Sequence, residues 1–323
     1  MVQSKRFAIN TKLILLCSLF LLSVLSIMVG VKDIDFFHPT LNDMHVIFIS
    51  RFPRLISIIV AGCSVSITGL IMQTITRNKF VSPTIAGTTD WARLGILFAM
   101  LFFSGSSSIV RMLSAFVTCL LGSYLFIRLL MKIRVKNEVL IPLIGLMLGN
   151  VVNAIATYFA YRYDLVQNMS SWLQGSFSLI LKGRYELLYI GIPFLVMGYF
   201  YADKFTIAGM GKDFSQNLGL NHNRIINLGL AVVSMITAVV TVTVGGLPFL
   251  DLVIPNIISM IKGDNLKNSL LDTALMGANF VLLCDIIGRL IIYPYEIPIG
   301  MMISIIGSTI FLWMILRRKK NEN

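Results

Sequence analysis

Two pairs of opposite charge stand inside otherwise apolar stretches: Asp285 with Arg289, four residues apart, and Asp90 with Arg93, three apart. On a helix both spacings put the two groups on one face, where each can neutralise the other. Charge within hydrocarbon is costly, so such residues are either structural ion pairs that tie helices together or members of a functional polar site. Both readings stay open for each pair. Arg51 and Arg54 flank Pro53 at the head of a long uncharged run, and Asp251 opens a short one, where helix N-terminal amides favour a carboxylate. Asn150, Asn153, Asn256 and Asn279 can bridge helices by hydrogen bonds. None of this makes a catalytic constellation. There is no nucleophile elbow, zinc-binding helix or dinucleotide fingerprint. Cys17, Cys63, Cys119 and Cys284 all sit in apolar surroundings with no CxxC pairing and read as packing residues; His38, His45 and His222 are scattered, so no metal site is expected.

The elements that carry these residues are membrane spans. The chain has 323 residues, 56% hydrophobic and 13% charged, and a mean hydropathy of +0.83; about a quarter charged is usual for a soluble domain. Leu55 to Thr76 carries no charge and as a helix covers roughly 30 Å of hydrocarbon. Gly62, Ser64, Ser66, Thr68, Gly69, Gln73 and Thr74 run through it, which suits close helix packing or a polar pathway better than a lipid anchor. Apolar segments at about 9–31, 52–76, 84–103, 108–130, 139–160, 185–202, 225–246, 249–261, 269–292 and 298–316 predict ten helices in one transmembrane domain. The first resembles a signal peptide but lacks a small-residue cleavage site and reads as a span. The eighth follows Gly245-Gly246-Leu247-Pro248, contains Pro255 and is too short to cross alone, so it predicts a half-spanning or protein-buried helix. The more polar stretch at 165–181 predicts an extra external helix.

Ten spans place both termini on one side. With the N-terminus inside, eighteen of the 27 basic residues fall on the cytoplasmic face, eight on the other (Lys32, Arg51, Arg54, Arg111, Arg162, Lys182, Arg184 and Arg289), and Arg93 lies within a span. The bias predicts N-in, C-in and accounts for the net charge of +12 without nucleic acid. The longest cytoplasmic connection, about 204–223, is broken by Gly209, Gly211 and Gly219 into two short helical pieces near 205–210 and 212–218. It is either a plain connector or a compact loop that feels a partner. The chain has no phosphate-cradling G-x-x-x-x-G-K-[ST] loop, so an ATP-driven process would need its ATP and Mg on another chain.

Four blocks resemble the FecCD-type permeases, which import iron–siderophore chelates, haem or vitamin B12 within ABC transporters. They are Arg51-Phe-Pro-Arg54 with the helix through Gly69, Gln73 and Arg77-Asn78; Ser82-Pro83-Thr-Ile-Ala-Gly87; Gly211 to Leu218-Gly219-Leu220; and a fourth from Gly245 to Arg318. The last includes Leu252-Val-Ile-Pro255-Asn256, Gly263-Asp264, Cys284-Asp285-Ile-Ile-Gly-Arg289 and Glu296-Ile-Pro298-Ile-Gly300. They follow the family order over nearly the whole chain, and details such as Arg77-Asn-Lys-Phe-Val-Ser-Pro resemble the Gram-positive iron–siderophore branch. Asp251 departs from the glycine usual there.

The resemblance implies an all-α, vitamin B12 importer permease-like subunit with about ten transmembrane helices in the cell membrane. It implies a dimer with a second permease copy or paralogue, cytoplasmic ATPase subunits, an extracytoplasmic substrate-binding lipoprotein and a ferric-siderophore cargo, with no catalysis and no cofactor in this chain. Exposed Arg51, Arg54 and Arg289 would receive the binding protein's acidic residues. Gly211, Asp213, Phe214, Leu218 and Gly219 would couple to the ATPase, and Asn78, Phe80 and Asn137 would form the cytoplasmic gate. A haem or cobalamin importer, or an ion-coupled secondary carrier, is the alternative.

Overall fold

The computed structural model describes residues 2–30, 41–103, 105, 107–133, 140–178, 180, 185–263 and 265–322. Lys32, His38, Arg134, Lys136, Asn137, Lys182, Arg184 and Asp264 lie outside the described residues. The described chain is helical, with no strand among the described residues. In order it comprises α1 (Val2–Met28), α2 (Leu41–Val46), a π-helical turn (Ile47–Arg51) running into α3 (Phe52–Thr76), α4 (Thr88–Phe102), α5 (Ser108–Ile133), α6 (Leu140–Arg162) and α7 (Val166–Leu173). A 3-10 turn (Tyr185–Ile190) then leads into α8 (Gly191–Phe200), followed by α9 (Ala202–Gly209), α10 (Lys212–Asn217), α11 (His222–Thr243), α12 (Leu250–Lys262), α13 (Leu266–Leu290) and α14 (Ile299–Glu322).

Every one of the ten expected segments contains a helix, but ten full crossings are more than their lengths support. Among the described residues seven helices are long and apolar enough to span, and an eighth if α8 and α9, bent by 59° at Tyr201, count as one. α4 has 15 residues and α12 only 13, short of the roughly 20 that a bilayer needs. The external helix is also shorter than expected, ending at Leu173.

α3 is the hub, packed against α13, α12 and α11. Pro53 opens it without forfeiting a helical hydrogen bond, and Arg77 closes it in the left-handed conformation, its N–H returning to Gln73 and Thr74 carbonyls. Small residues let the backbones meet. A Cβ on Gly62 would lie 2.9 Å from the Gly277 carbonyl oxygen, and one on Gly277 would lie 2.5 Å from that of Gly62. This is the small-residue seam by which helices associate where hydrocarbon offers no hydrophobic drive. α1, α6 and α14 keep much of their surface free of the rest of the chain.

The broken span follows from its sequence. α11 ends before Gly245-Gly246, and Phe249 in the left-handed conformation starts α12 afresh. Within α12, Pro255 has no N–H to return to the Asp251 carbonyl four residues back. That carbonyl faces Gly69 of α3 so closely that a Cβ there would lie 1.8 Å from its oxygen. Asn256 supports the same turn, its side-chain amide donating to the Leu252 and Lys79 carbonyls, both at 2.8 Å.

Candidate functional site

At the outer end of the bundle Arg54 of α3 makes a fork. Its Nη1 donates to both Glu296 carboxylate oxygens at 2.8 and 2.9 Å, and its Nη2 donates to Asp285 Oδ1 at 2.7 Å. Asp285 Oδ2 stands 2.6 Å from Arg289 Nη2 one turn further along α13, an ion-pair distance without hydrogen-bond alignment. Glu296 Oε2 also accepts from the Ser178 hydroxyl at 2.6 Å. Burial would raise the Glu296 carboxyl, but the Arg54 hydrogen bond and charge, with smaller help from Ser178 and Arg289, hold it below the usual carboxylate range. The network joins α3, α13, the 291–298 connection and the loop at 176–178. Asp285 and Arg289 thus stand at ion-pair distance within a larger cluster.

Arg51 and Arg289 have a second task. The last carbonyls of a helix have no partners within it, and the C-terminus carries partial negative charge. Arg51 Nη1 donates to Ile27 and Met28 carbonyls at 2.5 and 3.2 Å. Arg289 Nη1 donates to Ser26 and Val29 carbonyls at 3.0 and 2.6 Å, and its Nη2 to the Ser26 hydroxyl at 2.8 Å. Two guanidinium groups thus close the end of α1. The expectation that Arg51, Arg54 and Arg289 stand exposed is corrected: they are buried or nearly so, Arg51 at 8% exposure and Arg289 at 6%, with 15% for the Arg54 side chain. Sequence could place these cations at the outer end but could not show that α1's carbonyls and two carboxylates would occupy them. In the sequence Glu296 stands out only as a residue of the fourth block.

The inner end holds the other candidates. Asn78 is buried, and its Oδ1 accepts from the Phe80 N–H at 2.8 Å, fixing the tight turn that leaves α3. The Phe80 ring meets Phe311 of α14 edge-on with centroids 6.1 Å apart. Lys79 Nζ donates to the Ser259 hydroxyl of α12 at 2.8 Å. One turn therefore touches α3, α12 and α14. Asn137 is outside the described residues and cannot be joined to Asn78 and Phe80.

α9 and α10 form the protruding loop, close to the two pieces expected but beginning at Ala202. Gly211 adopts φ +121, which a side chain would strain, and turns the chain from one helix to the other. Ser215 is buried, its hydroxyl within reach of the Ile207 carbonyl of α9 at 3.1 Å and of the Gly211 carbonyl at 2.5 Å, which holds the two helices together. Asp213, Gly219 and the large apolar side chains of Met210, Phe214 and Leu218 are exposed. Arg77, a residue of the first block, connects this piece to the turn at Asn78 and Phe80: its Nε donates to the Gly209 carbonyl. The end of α9 is thus joined to the residue that caps α3 and precedes Asn78.

Residues 13–317 match the profile of the FecCD transport family. The chain is 59% identical over 304 residues to the petrobactin import system permease protein YclN of Bacillus subtilis (strain 168), covering 93% of this chain and 96% of that protein. It is 38% identical to the ferric-anguibactin transport system permease protein FatD of Vibrio anguillarum, covering 95% and 98%. Among solved structures, a chain of an inward-facing metal-chelate type ABC transporter superposes with a TM-score of 0.82 at 22% identity, covering 95% of this chain and 99% of that one. The fold is shared with that chain.

Proposed function

Because the chain belongs to the FecCD transport family, we propose that it is the permease subunit of a binding-protein-dependent ABC importer of ferric siderophores, with petrobactin-type chelates as cargo. It is a multi-pass protein of the cell membrane. The observation that carries the cargo is the 59% identity, end to end, with a petrobactin permease; the anguibactin relative is more distant.

The chain itself performs no catalysis in this reading. ATP and Mg are bound by ATPase subunits that receive the exposed apolar face of α10, Phe214 and Leu218 above all, beside Gly211, Asp213 and Gly219. Their closure is passed through Arg77 to the turn at Asn78 and Phe80. A second permease copy or paralogue completes the pathway. A substrate-binding lipoprotein docks at the outer end, where Arg54 and Glu296 offer one charge of each sign at the rim and Arg51 and Arg289 hold the surface in shape.

Uptake of radiolabelled ferric petrobactin in a strain deleted for this gene tests the reading. Complementation should restore uptake, and a variant of the partner ATPase that cannot hydrolyse ATP should abolish it. Uptake that persists with no functional ATPase, or that collapses only with an ion gradient, would overturn it in favour of a secondary carrier.

A further inference from the structure

A small cavity of about 20 Å³ lies where the broken span meets α3, α11 and the entry to α4, bordered by Thr68, Thr84, Thr89, Thr237, Thr241 and Asp251. That is room for one particle the size of a water molecule. Asp251 is 1% exposed. Its Oδ2 accepts from the Thr84 N–H at 2.8 Å and from the Thr84 hydroxyl at 2.6 Å. Its Oδ1 has no hydrogen-bond partner among the described residues. Asp251 occupies the first turn of α12, where the helix N-terminus carries partial positive charge. A full negative charge buried with so little compensation is costly.

The walls are rich in acceptors. The Thr68 hydroxyl spends its proton on the Val65 carbonyl at 2.8 Å, and that of Thr84 on Asp251, so both have only lone pairs left to offer. The non-helical stretch between α11 and α12 lines the same space through Gly245, Gly246 and Leu247, in the manner of discontinuous membrane helices that enclose ion sites. One carboxylate balances one positive charge. Among the described residues no three His, Cys, Asp or Glu side chains come together as a multivalent ion would require.

We propose that this cavity binds a single Na⁺ ion, with Asp251 Oδ1 as its charged ligand and threonine hydroxyl oxygens completing the shell. The ion pins the head of α12 to α3 and α4 at the place where the span is broken.

Thermal unfolding of the purified full-length permease in lipid nanodiscs tests this, with NaCl, KCl or N-methyl-D-glucamine chloride at fixed ionic strength. A ligand that binds only the folded state raises Tm saturably. Na⁺ is expected to raise Tm by about 2 °C or more over N-methyl-D-glucamine, and Asp251→Asn should lose that response. Thr241→Val, which keeps shape and removes one hydroxyl, should shift the half-saturating Na⁺ concentration upward by about tenfold, and it decides the matter if Asp251→Asn does not fold. Superimposable curves in Na⁺ and N-methyl-D-glucamine, a Na⁺ response unchanged in both variants, or an equal response to K⁺ would each overturn the assignment and leave water or a proton in the cavity.

Discussion

Arg54→Ala should destabilise the outer network, and its magnitude can be worked from the two arms of the fork. The arm to Asp285 is buried, with side-chain exposures of 15% and 2%. Removing one partner of such a pair strands a charge and typically costs about 3–5 kcal/mol. Asp285 still keeps Arg289 at 2.6 Å, which lowers the loss at this arm toward about 2–3 kcal/mol. The arm to Glu296 is more open, with a quarter of that side chain accessible, and retains its Ser178 bond. It adds about 1 kcal/mol or less. The expected total is about 2–4 kcal/mol. Equilibrium unfolding of the purified permease, combined in double-mutant cycles with Asp285→Asn and Glu296→Gln, separates the arms. Coupling should be larger for Arg54 with Asp285 than for Arg54 with Glu296. Arg54→Lys should recover only part of the loss, since an ammonium cannot fork to two carboxylates. A loss below about 0.5 kcal/mol for Arg54→Ala, or a stronger coupling to Glu296 than to Asp285, would refute the reasoning. Binding-protein affinity measured on the same variants tells scaffold from docking: a variant that folds as stably as the wild type yet fails to dock would place Arg54 in the interface itself.

The depressed Glu296 carboxyl makes a pH-dependent contribution: present above its unfolded value of about 4.3, lost as pH falls through the lower folded value. Melting from pH 6 to pH 3 should therefore show the advantage of wild type over Glu296→Gln shrinking below about pH 4, whereas a constant gap contradicts the pairing. Gly69→Ala sets a methyl 1.8 Å from the Asp251 carbonyl oxygen and must push α3 from α12, while Gly62→Ala meets its nearest atom at 2.9 Å; overpacking of about 1–3 kcal/mol is expected for the first, and Tm should fall further for it than for the second. Phe214→Ala and Leu218→Ala remove exposed surface, so stability should change by less than about 0.5 kcal/mol, while ferric-siderophore uptake should fall by about tenfold through weakened ATPase docking.

The helices at α1, α3, α5, α6, α11, α13 and α14 were legible in the sequence because an uncharged run of membrane length has few alternatives once backbone polar groups must be satisfied without water. The broken span at Gly245–Phe249 and the pair of short helices after Tyr201 were legible too, from glycine and proline placement. The Asp285–Arg289 pair followed from spacing on a single helix. Local pattern also marked Gly211 and the exposed face behind it.

What needed the tertiary structure were the contacts between residues far apart in the chain. Arg54 meets Glu296 across 242 positions and Arg289 meets Ser26 across 263, and no periodicity encodes which distant carbonyl or carboxylate will lie within reach. That is why three cations read as an exposed set turned out to be two caps on α1 and one fork. It is also why Asp251, legible as a helix-start acid, gained its meaning only when Thr84 met it across 167 positions and four other threonines came to border the same cavity. Sequence set which segments leave water and in which elements; burial and partnership arose from how those elements packed, because the energy of a charged group depends on the neighbours that replace its water.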